Sequence, residues 1–247
     1  MASSGVFRLA ALVAALVVVP SSIARADWIL GGYLGQATTR ASTIALDVHD
    51  GQTHVDAEGV RYRGRSFEFP LYYGYRVMWV PRARGWIGVE FEFIHAKVYA
   101  KAERTVRLHG TLRGAPVDAM VPLASLAPRL DMSHGLNFIL GNVVVRKGVG
   151  PLDARGLPRL VAVARAGAGP TVPHGESTID GVDREQYESG GLGMQVAGGL
   201  ELALWRGLAA VGEYKWTRAN PTIEVAGGQA TIPSRSHHLA LGIAYRF

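Results

Sequence analysis

The sequence contains no cysteine among its 247 residues. A disulfide framework, a thiolate zinc site and covalent haem attachment are therefore excluded. Compact catalytic and nucleotide-binding motifs are also missing, because the chain has no G-x-S-x-G, P-loop, H-E-x-x-H or calcium-loop pattern. Any chemistry must come from side chains that the fold brings together from distant segments.

A hydrophobic run long enough to cross a bilayer as a helix is absent as well. The first 26 residues contain one early cation, Arg8, then an apolar run from Leu9 to Val19 and small residues that end in Ala-Arg-Ala. The run is shorter than the ~20 residues that a membrane-spanning helix needs. We therefore predict that residues 1–26 are a secretory signal peptide cleaved after Ala26, with a membrane anchor as the alternative.

The mature chain also lacks a strong charge of either sign. Removal of the signal peptide takes Arg8 and Arg25 from the 26 basic residues and leaves 24 against 20 acidic ones, a net charge of about +4. This charge is mild and dispersed, which argues against a nucleic-acid partner.

What the chain does have is hydrophobic alternation with a period of two residues. In the last segment Leu239, Leu241, Ile243, Tyr245 and Phe247 alternate with small or charged residues. A large apolar face opposite a small or polar face suits a strand that contacts lipid. Eight such segments can be marked: Asp27–Gln36, Phe67–Val80, Trp86–Ala100, Asp131–Arg146, Arg159–Val172, Gln186–Trp205, Leu208–Ala219 and Ser234–Phe247.

The connections between these segments indicate the architecture. Longer and shorter links largely alternate, and aromatic residues lie near strand ends, as is typical of outer-membrane β-barrels. We predict an all-β fold, an eight-stranded antiparallel transmembrane β-barrel over residues 27–247, with both termini periplasmic. Its long outer loops are predicted at about 37–66, 101–130, 173–185 and 220–233. The soluble alternative, a periplasmic sandwich or lipocalin-like barrel, does not explain the outward Leu and Tyr residues.

This prediction implies both a location and an interior. The protein is expected in the outer membrane of a Gram-negative bacterium, delivered by the assembly machinery through its C-terminal Phe247. Eight strands enclose a space just wide enough for side chains, which excludes a diffusion porin. Charges of both signs are expected in this lumen as a salt-bridge network: Arg76, Glu90, Glu92, Arg165, Gln195, Glu201, Glu213, Lys215 and Arg246.

Four histidines are predicted to converge on the outer rim, because their heights along the strands are similar: His95, His134, His174 and His238. Imidazole and carboxylate ligands suit zinc, copper or iron. A divalent metal of unspecified identity is therefore expected on His174 and His238 with Glu176 or Glu213. The adjacent His237 and His238 cannot both point inward on a regular strand.

Alternation gives a second expectation for three of the rim residues. His95 and Lys97 share the parity of Phe91 and Phe93, and His134 shares that of Leu136 and Phe138, so they should face lipid headgroups unless a bulge changes the register. Interfacial anchoring is the alternative role for such residues.

Arginines recur in the outer segments. Arg61, Arg63 and Arg65 repeat every second residue, and Arg104 and Arg107 lie in the second long loop. On an outer surface the nearest abundant polyanion is lipopolysaccharide, whose phosphates pair with guanidinium groups. These five residues are predicted to bind lipid phosphate, with a solvated loop as the alternative.

The chain resembles small outer-membrane barrels of the OmpA, OmpX and opacity-protein type in its signal peptide, eight strands and terminal aromatic residue. Five blocks are similar to rhizobial lipid A oxidase-like barrel proteins: FPLYYGYR (69–76), EFEFIHAKVY (90–99), SHGLNFILGN (133–142), GAGPTVPHGE (167–176) and GEYKW (212–216). That resemblance implies oxidation of the proximal glucosamine of lipid A to an aminogluconate, using oxygen, at the outer leaflet.

The residues in these blocks become the candidate catalytic set: His95, Lys97, His134, Asn137, Glu213 and Lys215. Lys97 and the loop arginines would hold lipid A phosphate. The expected function is action on, or binding of, lipid A or lipopolysaccharide, with an oxidase-like enzyme as its specific form. The alternative is a non-enzymatic surface barrel that stabilises the envelope or acts as an adhesin through its loops. An enzyme predicts a compact cluster at the rim, whereas an adhesin predicts dispersed polar residues.

Overall fold

The computed structural model describes residues 26–49, 51–152 and 158–247. The predicted signal peptide, apart from Ala26, lies outside the described residues. The described part consists almost entirely of strands and contains two short 3-10 helices, Arg82–Arg84 and Leu123–Ser125. No helix within these ranges is long and apolar enough to cross a bilayer.

The described chain contains sixteen strands. They are β1 (Ala26–Thr39), β2 (Ser42–Val48), β3 (Thr53–Val60), β4 (Tyr62–Arg63), β5 (Tyr73–Pro81), β6 (Ile87–Ala100), β7 (Thr105–Leu112), β8 (Ala115–Pro122), β9 (Arg129–Leu152), β10 (Pro158–Ile179), β11 (Val182–Tyr187), β12 (Leu192–Trp205), β13 (Leu208–Ala219), β14 (Thr222–Val225), β15 (Gly228–Thr231) and β16 (Ser234–Arg246).

Eight of these strands form a closed antiparallel ring. The order around the ring is β1, β5, β6, β9, β10, β12, β13 and β16, and β16 pairs with β1 again. The prediction of an eight-stranded antiparallel barrel is confirmed. The bounds differ at several strands. β9 and β10 extend well beyond the predicted segments, residues 67–72 precede β5 rather than belong to it, and β12 begins at Leu192 rather than at Gln186, which belongs to β11.

The predicted outer loops contain strands, which is a correction. Six of them form a second antiparallel sheet in the order β14, β15, β2, β3, β7 and β8, and β11 continues the β10 hairpin. Here the alternation is that of a sheet with one face on a core and the other in water. In β3 the side chains of Thr53, Val55 and Ala57 are buried, whereas those of His54 and Asp56 are exposed. This pattern is the reverse of the barrel pattern, and the search for outward apolar faces therefore missed it.

The second sheet shares a hydrophobic core with the outer half of the barrel. Ile44 and Leu46 of β2 and Ile223 of β14 belong to the same buried cluster as Ile94 of β6 and Phe138 of β9. The outer sheet is therefore packed onto the barrel and closes its outer end.

A continuous apolar belt covers the outside of the barrel below this sheet. On β16 the outward residues Leu239, Leu241 and Ile243 are 65%, 76% and 59% exposed. At a tilt of about 40°, the strand rises about 25 Å along the barrel axis from Tyr245 to Arg235. This rise equals the height of a lipid-facing band. A closed ring with such a belt satisfies its backbone hydrogen bonds in lipid. The protein is thus a transmembrane β-barrel of the outer-membrane type.

The two ends of the belt are distinguishable. Trp28, Trp86, Trp205 and Tyr245 lie at the end that carries the short turns, and the backbone N–H of Phe247 donates to the Trp28 carbonyl there. Both ends of the barrel sequence meet at this periplasmic girdle.

Candidate functional site

A bulge in β9 forms the base of the candidate site. On one side the register passes from Ala96 opposite Leu136 to Val98 opposite Met132, and on the other Gly175 again pairs with Met132. Residues 133–135 of β9 therefore lie between two single residues, Lys97 of β6 and His174 of β10. Such bulges re-aim side chains.

Glycine is required in this bulge at position 135. Gly135 has φ +101, and a Cβ there would lie 2.5 Å from His95 Nδ1 and 2.6 Å from Asn137 Oδ1. Both the backbone conformation and the space beside these side chains exclude a larger residue.

The side chains around the bulge point to the outside of the barrel. Ile94, Ala96 and Val98 of β6 belong to the inner core. His95 and Lys97, which lie between them, must therefore face outward. The alternation prediction for these two residues is confirmed. Its premise for His134 is wrong, because Leu136 and Phe138 belong to the inner core and the bulge changes the register between them and Met132.

These outward residues are nevertheless buried. His95 is 4% exposed and Lys97 is 2% exposed. The His95 ring stacks on Tyr73 with centroids 4.9 Å apart, and Lys97 Nζ donates to the Glu68 carbonyl oxygen at 3.0 Å. The segment before β5 thus covers this part of the wall, and a polar cluster lies beneath it on the lipid side of the barrel.

Asn137 orients His95. Its amide nitrogen donates to the Val172 carbonyl at 3.0 Å and to the His134 carbonyl at 3.3 Å. Its oxygen is therefore the atom that faces His95, and His95 Nδ1 donates to it at 2.8 Å. His95 Nε2 is left as an acceptor, and it has no hydrogen-bond partner among the described residues.

Two histidines and two carboxylates converge beside this pair. Glu176 Oε1 lies 3.3 Å from His134 Nδ1 and 3.5 Å from His174 Nδ1, and Glu185 Oε1 lies 3.5 Å from His174 Nε2. One ligand atom from each of the four residues lies within 4.8 Å of all the others. The set has the composition of a divalent metal site. Sequence reasoning missed Glu185, which reaches the site because β11 pairs it with Glu176.

Ser133 does not complete a nucleophile relay with these residues. Its hydroxyl lies 3.0 Å from His134 Nδ1, and Glu176 approaches the same nitrogen. A Ser-His-acid relay uses the two different ring nitrogens. The Ser133 hydroxyl donates to Glu176 directly, and Arg129 also contacts that carboxylate. The geometry therefore favours a metal or proton-transfer site over acyl transfer.

Two of the predicted catalytic residues, Glu213 and Lys215, lie in the lumen instead. Lys215 Nζ is 2.6 Å from Glu213 Oε1 and also contacts Glu92. Arg76 Nη1 is 3.1 Å from Glu213 Oε2, and Arg165 contacts the same carboxylate. The barrel wall separates these residues from the outer cluster, so their assignment to one site with His95 is corrected.

The whole lumen is a balanced charge network, as predicted. Its buried members are four cations and four carboxylates: Arg76, Arg146, Arg165 and Lys215 with Glu90, Glu92, Glu201 and Glu213. Asn142 and Gln195 link them, since the Asn142 amide donates to Glu90 at 2.9 Å and to Glu92 at 3.0 Å. Arg246 pairs with Asp27 at the periplasmic mouth, at 2.8 Å.

His238 also lies inside the barrel. Its Nε2 is 2.8 Å from Thr217 Oγ1, and its ring lies 5.6 Å from that of Tyr72. The predicted grouping of His238 with His174 and Glu176 is therefore corrected, because similar height does not imply the same face of the wall. As expected for adjacent residues, His237 points outward and bonds to the Tyr214 hydroxyl at 2.5 Å.

The five predicted phosphate-binding arginines are all exposed, but they do not form one group. Arg107 makes a two-point bond to Asp118, with both distances 2.9 Å, and this bond holds the pKa of Asp118 below its usual value. Arg63 pairs with Glu103 at 2.6 Å and Arg65 with Glu68 at 3.4 Å. Within the described ranges Arg61 and Arg104 have no carboxylate partner, and they border one concavity beside β7 together with Arg107.

No known family model and no curated protein matches this sequence. Solved structures of outer-membrane proteins are similar in fold. A major outer membrane protein from Thermus thermophilus has 15% identity and a TM-score of 0.48, and the match covers 90% of this chain and all of that one. Neisserial surface protein A has 12% identity and a TM-score of 0.42 over 90% of this chain and 99% of that one.

A third similar structure is Ail of Yersinia pestis, solved in complex with the heparin analogue sucrose octasulfate. It has 10% identity and a TM-score of 0.40 over 90% of this chain and 98% of that one. The assignment of the present fold rests on its own strand pairing and apolar belt.

Proposed function

We propose that this protein acts on lipid A at the outer leaflet as an oxidase-like enzyme, and that the outer-wall cluster is its site. The observation that supports this is a buried polar cluster that faces outward on a wall otherwise covered by apolar side chains. His95 follows Trp86 by nine residues, which places it about 23 Å above the periplasmic girdle, at headgroup height. A lipid headgroup can reach that position by lateral diffusion, without entering the filled lumen.

A divalent metal fits the four ligating residues. His174 Nδ1 is buried and has no hydrogen-bond partner in the described chain, and the His134 and Glu185 side chains are half-exposed on its two sides. Two imidazoles with a carboxylate are a donor set typical of iron(II) sites that use oxygen, and they also suit zinc and copper. A redox-active metal bound here would supply a route for electrons from the sugar to dioxygen.

The remaining residues would bind and orient the sugar. His95 would act as the general base, a role supported by Asn137, which fixes the proton on Nδ1 and leaves Nε2 free to accept a proton from the anomeric hydroxyl. Lys97 has donors beyond the one that Glu68 accepts, and these would hold a lipid phosphate. The covering segment would keep water from the buried end of the cluster.

The proposed reaction is balanced as follows. Oxidation of the anomeric carbon from hemiacetal to lactone removes two hydrogens, and dioxygen accepts both with their electrons to give hydrogen peroxide. Water then opens the lactone to the acid. The net change in lipid A is the gain of one oxygen atom.

The test is mass spectrometry of lipid A from cells that express the protein in a heterologous outer membrane whose lipid A carries a free anomeric hydroxyl on the proximal glucosamine. The wild type should produce lipid A heavier by one oxygen atom, and His134→Ala/His174→Ala should reduce that product by about 100-fold or more. The matched control is His237→Ala, which removes an outward histidine from the opposite wall and should leave the product unchanged. Heat-modifiable electrophoretic mobility establishes that each variant is folded.

The alternative function, a surface barrel without enzymatic activity, is favoured by one observation. The second sheet forms a compact outer surface with exposed ion pairs such as Arg107 with Asp118. If the folded wild type leaves lipid A unchanged in a host with the appropriate lipid A, the enzyme proposal fails and binding through this sheet takes its place.

A further inference from the structure

Three arginines form a row across the wall opposite the candidate site. Arg218 of β13 is the register partner of Arg235 of β16, and the backbone N–H of Arg40, just after β1, donates to the Arg235 carbonyl at 2.9 Å. In each strand the neighbouring residue, such as Thr39 or Ser236, is buried on the inner face. The three arginine side chains therefore project from the outer face at neighbouring register positions, on strands about 4.8 Å apart.

Within the described residues, the positive charge of these three arginines is not balanced by a carboxylate. No ion pair joins Arg40, Arg218 or Arg235 to a carboxylate in the part of the chain that the structure describes. Like charges directly opposite each other on neighbouring strands are destabilising. The outer arginines Arg63 and Arg107, in contrast, each have an acidic partner. The row is thus a cationic surface that lacks its counter-charge within the described residues.

The position of the row identifies the source of that counter-charge. The next outward residues toward the periplasm are Trp216 and His237, and below them the belt continues through Tyr214 and Leu239. Interfacial aromatic residues followed by apolar ones are the order expected where strands leave the hydrocarbon region. Arg235 lies ten residues above Tyr245, which places the row about 25 Å from the periplasmic girdle, at the height of outer-leaflet headgroups.

The row is also far from the candidate site. It is centred on β16, and the bulge lies in β9, four strands away in either direction around the ring of eight. A lipid bound at the row therefore makes no contact with His95 or His174. The two surfaces occupy opposite sides of the barrel.

We propose that Arg40, Arg218 and Arg235 form a second binding site, for the phosphate groups of a lipid A-class lipid that stays in the outer leaflet. Guanidinium groups offer several fixed donors to phosphate and are always charged, and a lipid brings its phosphate to this height while its acyl chains cover the belt below. The site requires no catalytic activity, so it goes beyond the function proposed above.

The test compares Arg40→Gln/Arg218→Gln/Arg235→Gln with a control triple, Arg84→Gln/Arg159→Gln/Arg206→Gln. The control removes the same charge from three arginines at the periplasmic turns that are also without an ion-pair partner among the described residues. Binding of purified, folded protein to lipid A is measured by native mass spectrometry in detergent, with phosphorylated and dephosphorylated lipid A as separate probes.

The outer triple should weaken binding of phosphorylated lipid A by about tenfold or more, since charged hydrogen bonds are lost. The control triple and the dephosphorylated probe should show no such difference between variants. Equal binding by the two triples would overturn the proposal. Displacement of lipid A by millimolar inorganic phosphate would also overturn it, because it would assign the row to the free ion.

The same pair of triples is measured in the His134→Ala/His174→Ala background, since the candidate site would bind the same class of lipid. The loss of binding in the outer triple should be as large there as in the wild-type background. A loss that disappears in this background would assign the binding to the candidate site and contradict a second one.

Discussion

The lumen and the outer-wall cluster contain similar polar residues, but these residues have different partners. In the lumen, Lys215 contacts two carboxylates, and four cations face four carboxylates. On the outer wall, His174 Nδ1 and His95 Nε2 are buried without a hydrogen-bond partner within the described chain. A buried cation held against a carboxylate stabilises a fold, whereas a buried neutral imidazole nitrogen without a hydrogen-bond partner is available to a ligand.

The size of the barrel explains this division. Eight strands leave an interior that side chains fill, so the lumen cannot admit a lipid. The outer wall of the apolar belt, in contrast, faces lipid. A site for a membrane substrate is accordingly expected on the outside, and the bulge at residues 133–135 provides the irregular backbone that such a site needs.

The largest effect is expected from Glu213→Gln in the lumen. This substitution leaves Arg76, Arg165 and Lys215 with one carboxylate fewer, and breaking a buried ion pair costs about 3–5 kcal/mol. The free energy of unfolding, measured by urea titration of the barrel in lipid vesicles, should fall by that amount. Activity per folded molecule should not change, because Glu213 lies inside the wall.

Glu58→Gln is the control for this experiment, since Glu58 is a half-exposed carboxylate 3.7 Å from Arg107 on the outer sheet. It should change the stability by less than about 1 kcal/mol. A Glu213→Gln variant with unaltered stability and lost lipid A oxidation would return Glu213 to the catalytic set.

A smaller effect is expected from a charge placed in the belt. Leu241 is 76% exposed on the outward face of β16, about 10 Å above Tyr245 and so near the middle of the bilayer. Leu241→Arg should destabilise the barrel in vesicles by about 2–4 kcal/mol. Met120→Arg replaces a residue that is 67% exposed on the outer sheet, and it should have almost no effect. Equal effects at the two positions would contradict the assignment of the belt.

The alternation of side chains is enough to predict the barrel and its lumen. On β13 and β16 the period of two is unbroken, so it correctly places Glu213 and Lys215 inside and Leu239 and Leu241 outside. The same rule predicts that His95 faces outward. It does not predict the burial of His95, because that burial comes from the Tyr73 ring of β5 stacked on it, a contact between strands that alternation does not reveal.

Two features of the candidate site depend on register, which the sequence alone does not reveal. The bulge at Ser133, His134 and Gly135 is a local change of pairing whose one signal, Gly135, is not distinctive in a chain with 31 glycines. Glu185 joins the site only because the β10–β11 hairpin aligns it with Glu176. The prediction for His238 is wrong for the converse reason, since it rests on height along a strand without regard to the face.

The smallest effect is expected from backbone strain at two glycines, Gly135 in the bulge and Gly181 in the β10–β11 turn, which differ in how crowded their surroundings are. Gly135→Ala places a methyl group at φ +101 and 2.5 Å from His95 Nδ1, whereas Gly181→Ala, at φ +75, meets nothing within 4 Å. A strained backbone costs about 1–3 kcal/mol at either position. Both variants should therefore lose stability in urea titrations, Gly135→Ala more than Gly181→Ala because its methyl group also crowds His95 and Asn137. Only Gly135→Ala should displace His95 from Asn137 and lower lipid A oxidation. If the two variants retain equal activity, the hydrogen bond between His95 and Asn137 has no part in the reaction, and the site reduces to the two histidines and two carboxylates beside it.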